Sequence, residues 1–387
     1  MLLESLEVHQ FRNLSGKVFW HSNLNIIYGD NGQGKTNWLE AIYLLATSKS
    51  FRTSRPQETI RFGANLAFVR GRVRQSEAVS RDLQVTLQGN SKLLFVNGKK
   101  EQTSAYLGQL QVIAFTADEL EVVRGAPEAR RRFLDRGVLA LHHAYIQTLA
   151  DYNQVLRQKN RLLQEVAEGR LAVERARELL LPWNEQLAEL GTEIHCARID
   201  YVKRLNAVFE KKLFGREEVT IRYLSSLEGK GDLSDYRLLL TERLNLRLPA
   251  EIAAGCALVG PHRDDLEILF DGRDIRAYGS AGQQRSALIL LDLAALSVYH
   301  SWCGEYPLFL IDDIDAELDR KRIGHLLEYL EGRTQTFITT SKADLIRGYS
   351  SDQQVALYEV KEGLIVPSSS EGVRAASQME GVFRSLS

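Results

Sequence analysis

Between Gly29 and Thr36 the chain reads Gly-Asp-Asn-Gly-Gln-Gly-Lys-Thr. Glycines at the first, fourth and sixth places free successive backbone N–H groups to turn toward one centre, where they bind phosphate oxygens. A helix starting here adds unpaired N–H groups and the positive end of its dipole. Lys35 then reaches the β- and γ-phosphates, and the Thr36 hydroxyl ligates Mg²⁺. Gly29, Asp30, Asn31, Gly32, Gln33, Gly34, Lys35 and Thr36 are therefore candidate contacts for ATP and its Mg²⁺. The context favours this over a bare glycine turn: a short apolar strand, Leu24 to Tyr28, precedes the run, and an apolar helix, Lys35 to about Ala46, follows it.

A second chemical block is Leu308-Phe309-Leu310-Ile311-Asp312-Asp313. Two carboxylates at the C-terminal end of a buried parallel strand point into the crevice where ligands sit. Asp312 is the candidate support for Mg²⁺ beside Thr36. Asp313, one residue on, is placed to orient or activate an attacking water. Lys35, Asp312 and Asp313 form the candidate catalytic set. Strand ends also carry Asp as solvated turns, and the phosphate loop in the same chain tips the reading toward function. A third block, Ser280-Ala281-Gly282-Gln283-Gln284, opens a long apolar helix. Ser280 suits an N-cap; its hydroxyl and the nearby N–H groups would equally suit an anion, though locally the plain cap is favoured.

These blocks need a scaffold. Leu6 to Phe11 reads as an opening strand. Phe68 to Val96 alternates with period two, and Asn97-Gly98 signals a hairpin, so an antiparallel sheet is expected there. Leu110 to Phe115 reads as a buried strand. From Asp118 to Phe214 apolar residues recur at three and four: Tyr145, Leu149, Tyr152, Leu156 and Leu163, then Leu187, Leu190, Ile194, Ala197 and Tyr201. This pattern predicts either an antiparallel helical arm, with Pro182 kinking or restarting its second limb, or a helical subdomain packed on the core. Strand-like patterning returns at Val259 to Ile275, with a turn at Asp271-Gly272. Then come a helix over Gly279–Tyr299, a strand over Pro307–Ile311, a helix over Leu318–Leu330 and a strand over Thr336–Thr340. Strands alternating with helices predict a mostly parallel sheet. The expected divisions are 1–117, 118–257, 258–366 and a mobile Ser-, Gly- and Ala-rich tail, 367–387.

Composition bounds the rest. The 387 residues are 44% apolar, enough for a sizeable core, and the net charge of -1 leaves room for a nucleic-acid surface only as a local patch. Cys196, Cys256 and Cys303 are far apart, which fits a reducing compartment rather than disulfides or zinc. Glu4 and Glu7 interrupt the N-terminus, so a signal peptide is not expected. The apolar run Ser286 to Tyr299 carries Asp292 and reads as a core helix too short for a membrane span.

In this order and separation, the three blocks resemble the ABC-type ATPases of the SMC and RecF kind. Ser280 to Gln284 looks like their signature motif, and Asp312-Asp313 followed by Ile314-Asp315-Ala316-Glu317-Leu318-Asp319 looks like their Walker B strand and D-loop. Within that group the resemblance is to the RecF family of bacterial recombination mediators. His9-Gln10-Phe11-Arg12-Asn13-Leu14 is similar to its opening F-R-N motif. Phe115 to Leu120, Gly125-Ala126-Pro127, Arg130-Arg131-Arg132-Phe133-Leu134-Asp135 and Gly260-Pro261-His262-Arg263-Asp264-Asp265 are similar to further family blocks. The resemblance implies an α/β fold: an ABC-type P-loop ATPase head with a mixed/parallel sheet plus an antiparallel β segment, and an inserted α-helical arm domain. It adds Arg12, Asn13, Ser280, Gly282 and Gln283 to the nucleotide contacts, the last three reaching ATP held by a second subunit. It implies an ATP-dependent homodimer that hydrolyses ATP slowly and with DNA dependence. It also implies a cytoplasmic protein that binds single- or double-stranded, gapped DNA and acts at gaps and stalled forks with RecR- and RecO-type mediators and in SOS induction.

Two features depart from the wider pattern. ABC-type transport ATPases carry Glu where this chain has Asp313, a carboxylate shorter by one C–C bond, ~1.5 Å. No clear Gln marks the junction near Thr116, and Thr339-Thr340 occupy the place of the switch histidine. DNA candidates are Arg130, Arg131 and Arg132 at the base of the helical region and Lys99 and Lys100 after the hairpin turn. Lys159, Lys203, Lys211 and Lys212 lie along the helices. Phosphate binding needs such residues on one surface, and residue by residue the favoured reading is a solvated face paired with nearby Glu. His262 and Arg263 read as a structural corner. A P-loop small-molecule kinase, a transporter's ATPase subunit and a structural DNA clamp remain alternatives; DNA-stimulated hydrolysis separates the DNA readings from the first two.

Overall fold

The computed structural model describes residues 1–76, 79–209, 218–342 and 355–367. The chain divides into two units, Met1–Leu120 with Leu291–Ser387, and Glu121–Leu290. The expected divisions at 117/118 and 257/258 thus differ from the observed ones, the second by 33 residues. The expected tail, 367–387, lies outside the described residues except for its first position, and so do Lys211 and Lys212.

The first unit holds two six-stranded sheets. One is antiparallel, in the order β2 (Leu14–Phe19), β1 (Leu2–Phe11), β4 (Leu66–Ser76), β5 (Val79–Gln88), β6 (Ser91–Val96), β7 (Lys99–Glu101). Asn97 and Gly98, both at positive φ (50° and 76°), make the β6–β7 turn that the Asn-Gly pair predicts. The other sheet runs β15 (Leu364–Pro367), β14 (Val355–Lys361), β3 (Leu24–Tyr28), β13 (Thr336–Thr340), β12 (Leu308–Ile311), β8 (Val112–Phe115). All its pairings are parallel except β14 with β15. β12 is a continuous apolar run buried along its whole length, and β13, also fully buried, carries three threonines whose hydroxyls are hydrogen-bonded. The β14–β15 hairpin was not anticipated; its seven- and four-residue strands carry Tyr358, Glu359 and Lys361 among the apolar residues, so no clean alternation marks them.

Helix α1 (Lys35–Thr47) touches strands of both sheets. Every residue from Trp38 to Ala46 is buried, because the helix has no solvent face to keep polar. Short α2 (Thr103–Tyr106) follows β7.

In the second unit, α3 (Glu121–Arg124) and α4 (Pro127–Leu141) precede the hairpin of α5 (Tyr145–Ala167) and α6 (Val173–Phe209). This hairpin is the inserted helical arm. Pro182 sits inside α6 without ending it. α7 (Tyr236–Ala254) packs on both limbs, and at the far end Leu163, Val166, Ala176 and Leu180 close over Leu248 and Ile252. A three-stranded antiparallel sheet, β11 (Arg273–Asp274), β10 (Asp265–Phe270), β9 (Val219–Leu224), completes the unit, followed by α8 (Ile275–Tyr278). β9 is a strand within 118–257, the stretch expected to form the helical arm or lobe, and lies beyond the helical periodicity read over 118–214. It pairs residue by residue with β10, which places 258–278 in this unit and explains the later boundary.

The boundary itself falls inside α9 (Ala281–Cys303), which is followed by α10 (Ile314–Glu317) and α11 (Arg320–Leu330). At 23 residues α9 is longer than expected, and by length and composition alone it could cross a membrane. Its most apolar stretch is 67% buried inside the protein, as in a core helix.

The second unit has a charged interior. Arg198 donates to both oxygens of Asp135 (2.8 and 3.0 Å) and to the Pro261 carbonyl. Asp264, fully buried, accepts from the Tyr223 hydroxyl and the Ser226 N–H. Tyr152 meets His262 Nδ1 at 2.7 Å, and burial pushes the His262 imidazole down to about 4, so it is neutral. Arg263 donates to the Ala257 carbonyl, so the His262-Arg263 corner is built of hydrogen bonds. Lys159 is fully buried in an ion pair with Glu251 at 2.7 Å, and burial lowers its pKa. It has no surface to offer DNA.

Removing one member of a buried pair strands the other charge, whereas replacing both with apolar groups does not. Lys159→Ala is expected to destabilise the protein by about 3–5 kcal/mol. The double change Lys159→Met with Glu251→Leu should recover most of that loss in urea unfolding; no recovery would show that the pair is not coupled.

Candidate functional site

β3 ends at Tyr28, and the loop from Gly29 to Gly34 leads straight into α1. Gly34 is the N-cap at φ 110°, and a Cβ there would lie 2.9 Å from the Asn13 amide. Only glycine meets both conditions. Asn37 and Trp38 N–H bond back to the Gly34 carbonyl, which leaves the Lys35 and Thr36 N–H groups as the free first turn of the helix. Lys35 folds over the loop, its Nζ donating to the carbonyls of Gly29 (2.7 Å) and Asp30 (3.0 Å).

The parallel register sets Thr340 beside Tyr28, and Ile311 beside both Ile338 and Phe115. The C-terminal ends of β3, β13 and β12 therefore gather at one edge. There Asp312 Oδ1 accepts from the Thr36 hydroxyl (2.9 Å) and from the Thr339 hydroxyl (2.7 Å). Thr339 Oγ1 in turn accepts the Asp313 N–H at 2.7 Å. Asp313 is exposed and holds a left-handed backbone, φ 51° and ψ 51°, a strained state for a residue with a side chain. Burial raises the Asp312 pKa; the Thr339 and Thr36 hydroxyls oppose the shift and the Asp313 charge adds to it. Next along, the Asp315 carboxylate accepts from the Thr340 and Ser341 hydroxyls. Burial works against its charge, but these bonds hold its pKa below the usual carboxylate value.

Thr36 and Asp312 supply hard oxygen donors at one point, which suits Mg²⁺, a cation that keeps waters and phosphate oxygens beside one or two protein ligands. Among the described residues no group of three or more His, Cys, Asp or Glu could hold a metal alone. The geometry fits a cation shared with phosphate.

Arg12 and Asn13 brace the loop from the far side. Arg12 donates to both oxygens of the fully buried Glu40 (3.0 and 2.8 Å) and to the Glu58 carbonyl, so its guanidinium is committed to holding α1. Asn13 Nδ2 donates to the Gln33 carbonyl (3.2 Å), and its Oδ1 accepts from Asn37. Glu40 and the turn at Glu362-Gly363 were missed in the sequence, and Thr339 was noted without a role. For Thr339, the place reserved for a histidine was the available signal.

At the start of α9, Ser280 Oγ accepts the Gln283 N–H (3.3 Å) while Gln283 Oε1 accepts the Ser280 N–H (2.9 Å). This reciprocal cap is a capping box, so the local reading of Ser280 as a cap is correct for a single chain. Gly282 lies within the same turn. Ser280 and the preceding Tyr278 are exposed.

The basic candidates separate. Arg130 is buried and bidentate to Asp265 (2.6 and 2.9 Å), which removes it from any solvent-facing patch. Arg131 is partly buried and donates to the Asp264 carbonyl. Arg132 is exposed, paired with Glu128 one turn before it. Lys99 and Lys100 are exposed, Lys99 facing Glu101 at 3.6 Å.

A phosphate loop, an acidic strand end and a capped signature helix on this sheet order define an SMC-like P-loop ATPase head. The model of the RecF/RecN/SMC N terminal domain matches residues 2–366. The chain is 34% identical to the DNA replication and repair protein RecF of Bacillus subtilis over 374 residues, 95% of this chain and 100% of that one. It is 36% identical to RecF of Lactobacillus johnsonii, with 94% and 99% covered. A solved structure of the recombination mediator protein RecF-ATP in the RecFOR pathway superposes with a TM-score of 0.85 at 33% identity, over 95% of this chain and 98% of that one. The Smc head domain of Pyrococcus furiosus, at 18% identity and a TM-score of 0.55, shares the fold. The chain belongs to the RecF family.

Because burial raises the Asp312 pKa, its ionised form costs stability once the pH exceeds that pKa, and the cost disappears as the pH falls below the unfolded value. Without nucleotide or metal, Asp312→Asn should unfold at a higher temperature than wild type at pH 8, with the gap closing as the pH falls toward the unfolded carboxylate value. A lower midpoint for the variant at pH 8 would contradict this.

Proposed function

We propose that this protein binds ATP with Mg²⁺ at the Gly29–Thr36 loop, dimerises on it, and hydrolyses it slowly while bound to DNA in recombinational repair. The observation that carries the reading is the Thr36 hydroxyl donating to Asp312 across 276 residues of sequence. A phosphate loop and an acidic strand end serve one cation only if they meet. The relatives, a DNA replication and repair protein and a recombination mediator of the RecFOR pathway, support the wider role.

In this reading Lys35 leaves the Gly29 and Asp30 carbonyls for phosphate oxygens, and the free N–H groups of α1 complete the cradle. Thr36 and Asp312 hold Mg²⁺, with Thr339 orienting Asp312. Bound MgATP supplies the phosphoanhydride and a concentrated negative charge. Asp313, fixed through its own N–H by Thr339, orients the attacking water. A second subunit brings Ser280, Gly282 and Gln283, its capped helix N-terminus facing the outermost phosphate. Nucleotide thereby bridges two protomers, and hydrolysis removes the bridge. The DNA-binding surface draws on the exposed Lys99, Lys100 and Arg132, with Arg131 at its margin. RecR- and RecO-type partners, action at gaps and stalled forks, a part in SOS induction and a cytoplasmic location belong to the same proposal.

Two outcomes follow. With a slowly hydrolysed ATP analogue, light scattering should show dimers for wild type and monomers for Lys35→Ala and Ser280→Arg; unchanged dimer content in Lys35→Ala would refute the bridge. The short Asp313 carboxylate should keep turnover well below about 1 s⁻¹, rising with DNA in a salt-dependent way. A DNA-free rate near ~100 s⁻¹, in the upper kinase range, would rule this out.

A further inference from the structure

The β14–β15 turn, Glu362-Gly363, touches the phosphate loop from 329 residues away in the chain. Gly363 N–H donates to the Gln33 carbonyl at 2.8 Å, and Glu362 N–H donates to the Gln33 side-chain oxygen at 2.7 Å. The same Gln33 carbonyl accepts Asn13 Nδ2 at 3.2 Å. The fit is close. A Cβ on Gly363 would lie 2.2 Å from the Asn13 carbonyl oxygen, and a Cβ on Gly29 would lie 2.6 Å from the Val360 carbonyl oxygen. Glu362 and Gly363 both hold positive φ, 51° and 82°, to make the turn.

The consequence lies in the peptide plane. The Gln33 C=O and the Gly34 N–H belong to one rigid trans unit and point in opposite directions. Two donors that fix the carbonyl toward Asn13 and Gly363 therefore aim the Gly34 N–H away from them. An unclasped glycine-flanked peptide would flip readily, and each flip would replace a donor in the phosphate cradle with a repelling carbonyl.

We infer that the Glu362-Gly363 turn is a positioning element of the phosphate loop: with Asn13 it locks the Gln33–Gly34 peptide so that its N–H presents to the nucleotide's phosphates. This rests on the proposed nucleotide site and adds to it a distant part of the chain. The turn touches no phosphate, so its effect is on affinity. Once nucleotide saturates the loop, the peptide is held by the ligand itself, and the chemical step proceeds as before.

The test uses the full-length protein with fluorescent N-methylanthraniloyl ATP and ADP, and thermal unfolding alongside. Gly363→Ala drives a Cβ into the Asn13 carbonyl; Gln33→Met removes only the side-chain acceptor and keeps the size. Gly363→Ala should weaken ATP and ADP by the same factor, roughly tenfold, the scale of one misdirected charge-assisted hydrogen bond. Gln33→Met should weaken both by roughly threefold, as for a partial loosening of the same bond. In steady state the KM of Gly363→Ala should rise by its factor while kcat at saturation stays within about twofold, a split that general damage to the fold would not give. If Gly363→Ala does not fold, Gln33→Met decides. Wild-type protein that binds neither nucleotide would overturn the nucleotide site and the clasp together. Wild-type binding with unaltered affinity in a folded Gln33→Met would overturn the clasp alone.

Discussion

Everything at the candidate site depends on three parallel strands ending level. β3, β13 and β12 pair in register, and their C-terminal ends carry the glycine loop, the Thr339-Thr340 pair and the Asp312-Asp313 pair. Side chains alternate faces along a strand, so a slip of one residue in β12 would turn Asp312 away from Thr36. The full burial of β12 and β13 specifies that register, since a slip would bring polar groups into the core. Core packing and site geometry are thus one constraint.

Buried polar groups recur where segments distant in sequence must be tied together. In the first unit, Glu40 gathers Arg12, Ser50 and, at 3.8 Å, Arg52. In the second, Asp135, Asp264 and Asp265 gather Arg198, Tyr223 and Arg130. Such pairs add little net stability against an apolar core of equal volume. They are directional, however, and each fixes an orientation that a hydrophobic contact leaves free. The mid-chain arginine block, so suggestive of DNA in the sequence, is largely spent on this task through Arg130 and Arg131.

At the acidic strand end the tie is Thr339, near the end of β13. Its hydroxyl donates to Asp312 and accepts from the Asp313 backbone, so one small side chain sets both acidic residues. A hydroxyl can do both at once because it carries a donor and acceptors on one atom.

The glycine loop and the acidic strand end were readable as local patterns whose chemistry follows from residue type and spacing, whereas Ser280 to Gln284 read locally as a helix cap and gained its further role only from the resemblance. The Asn97-Gly98 turn and the amphipathic stripes of α5 and α6 were likewise legible as local patterns. Partners brought together by tertiary structure were not. Nothing near Thr339 announces Asp312, nothing near Lys159 announces Glu251, and the Glu362-Gly363 turn reads as an ordinary hairpin until it meets Gln33. β9 went unread because its pairing strand lies well downstream, Leu224 opposite Asp265 and Val219 opposite Phe270. Local sequence carries backbone preference and side-chain chemistry. Which far segment satisfies a buried carbonyl or carboxylate is decided only when the core closes, because that partner is chosen by register and packing rather than by neighbours in the chain.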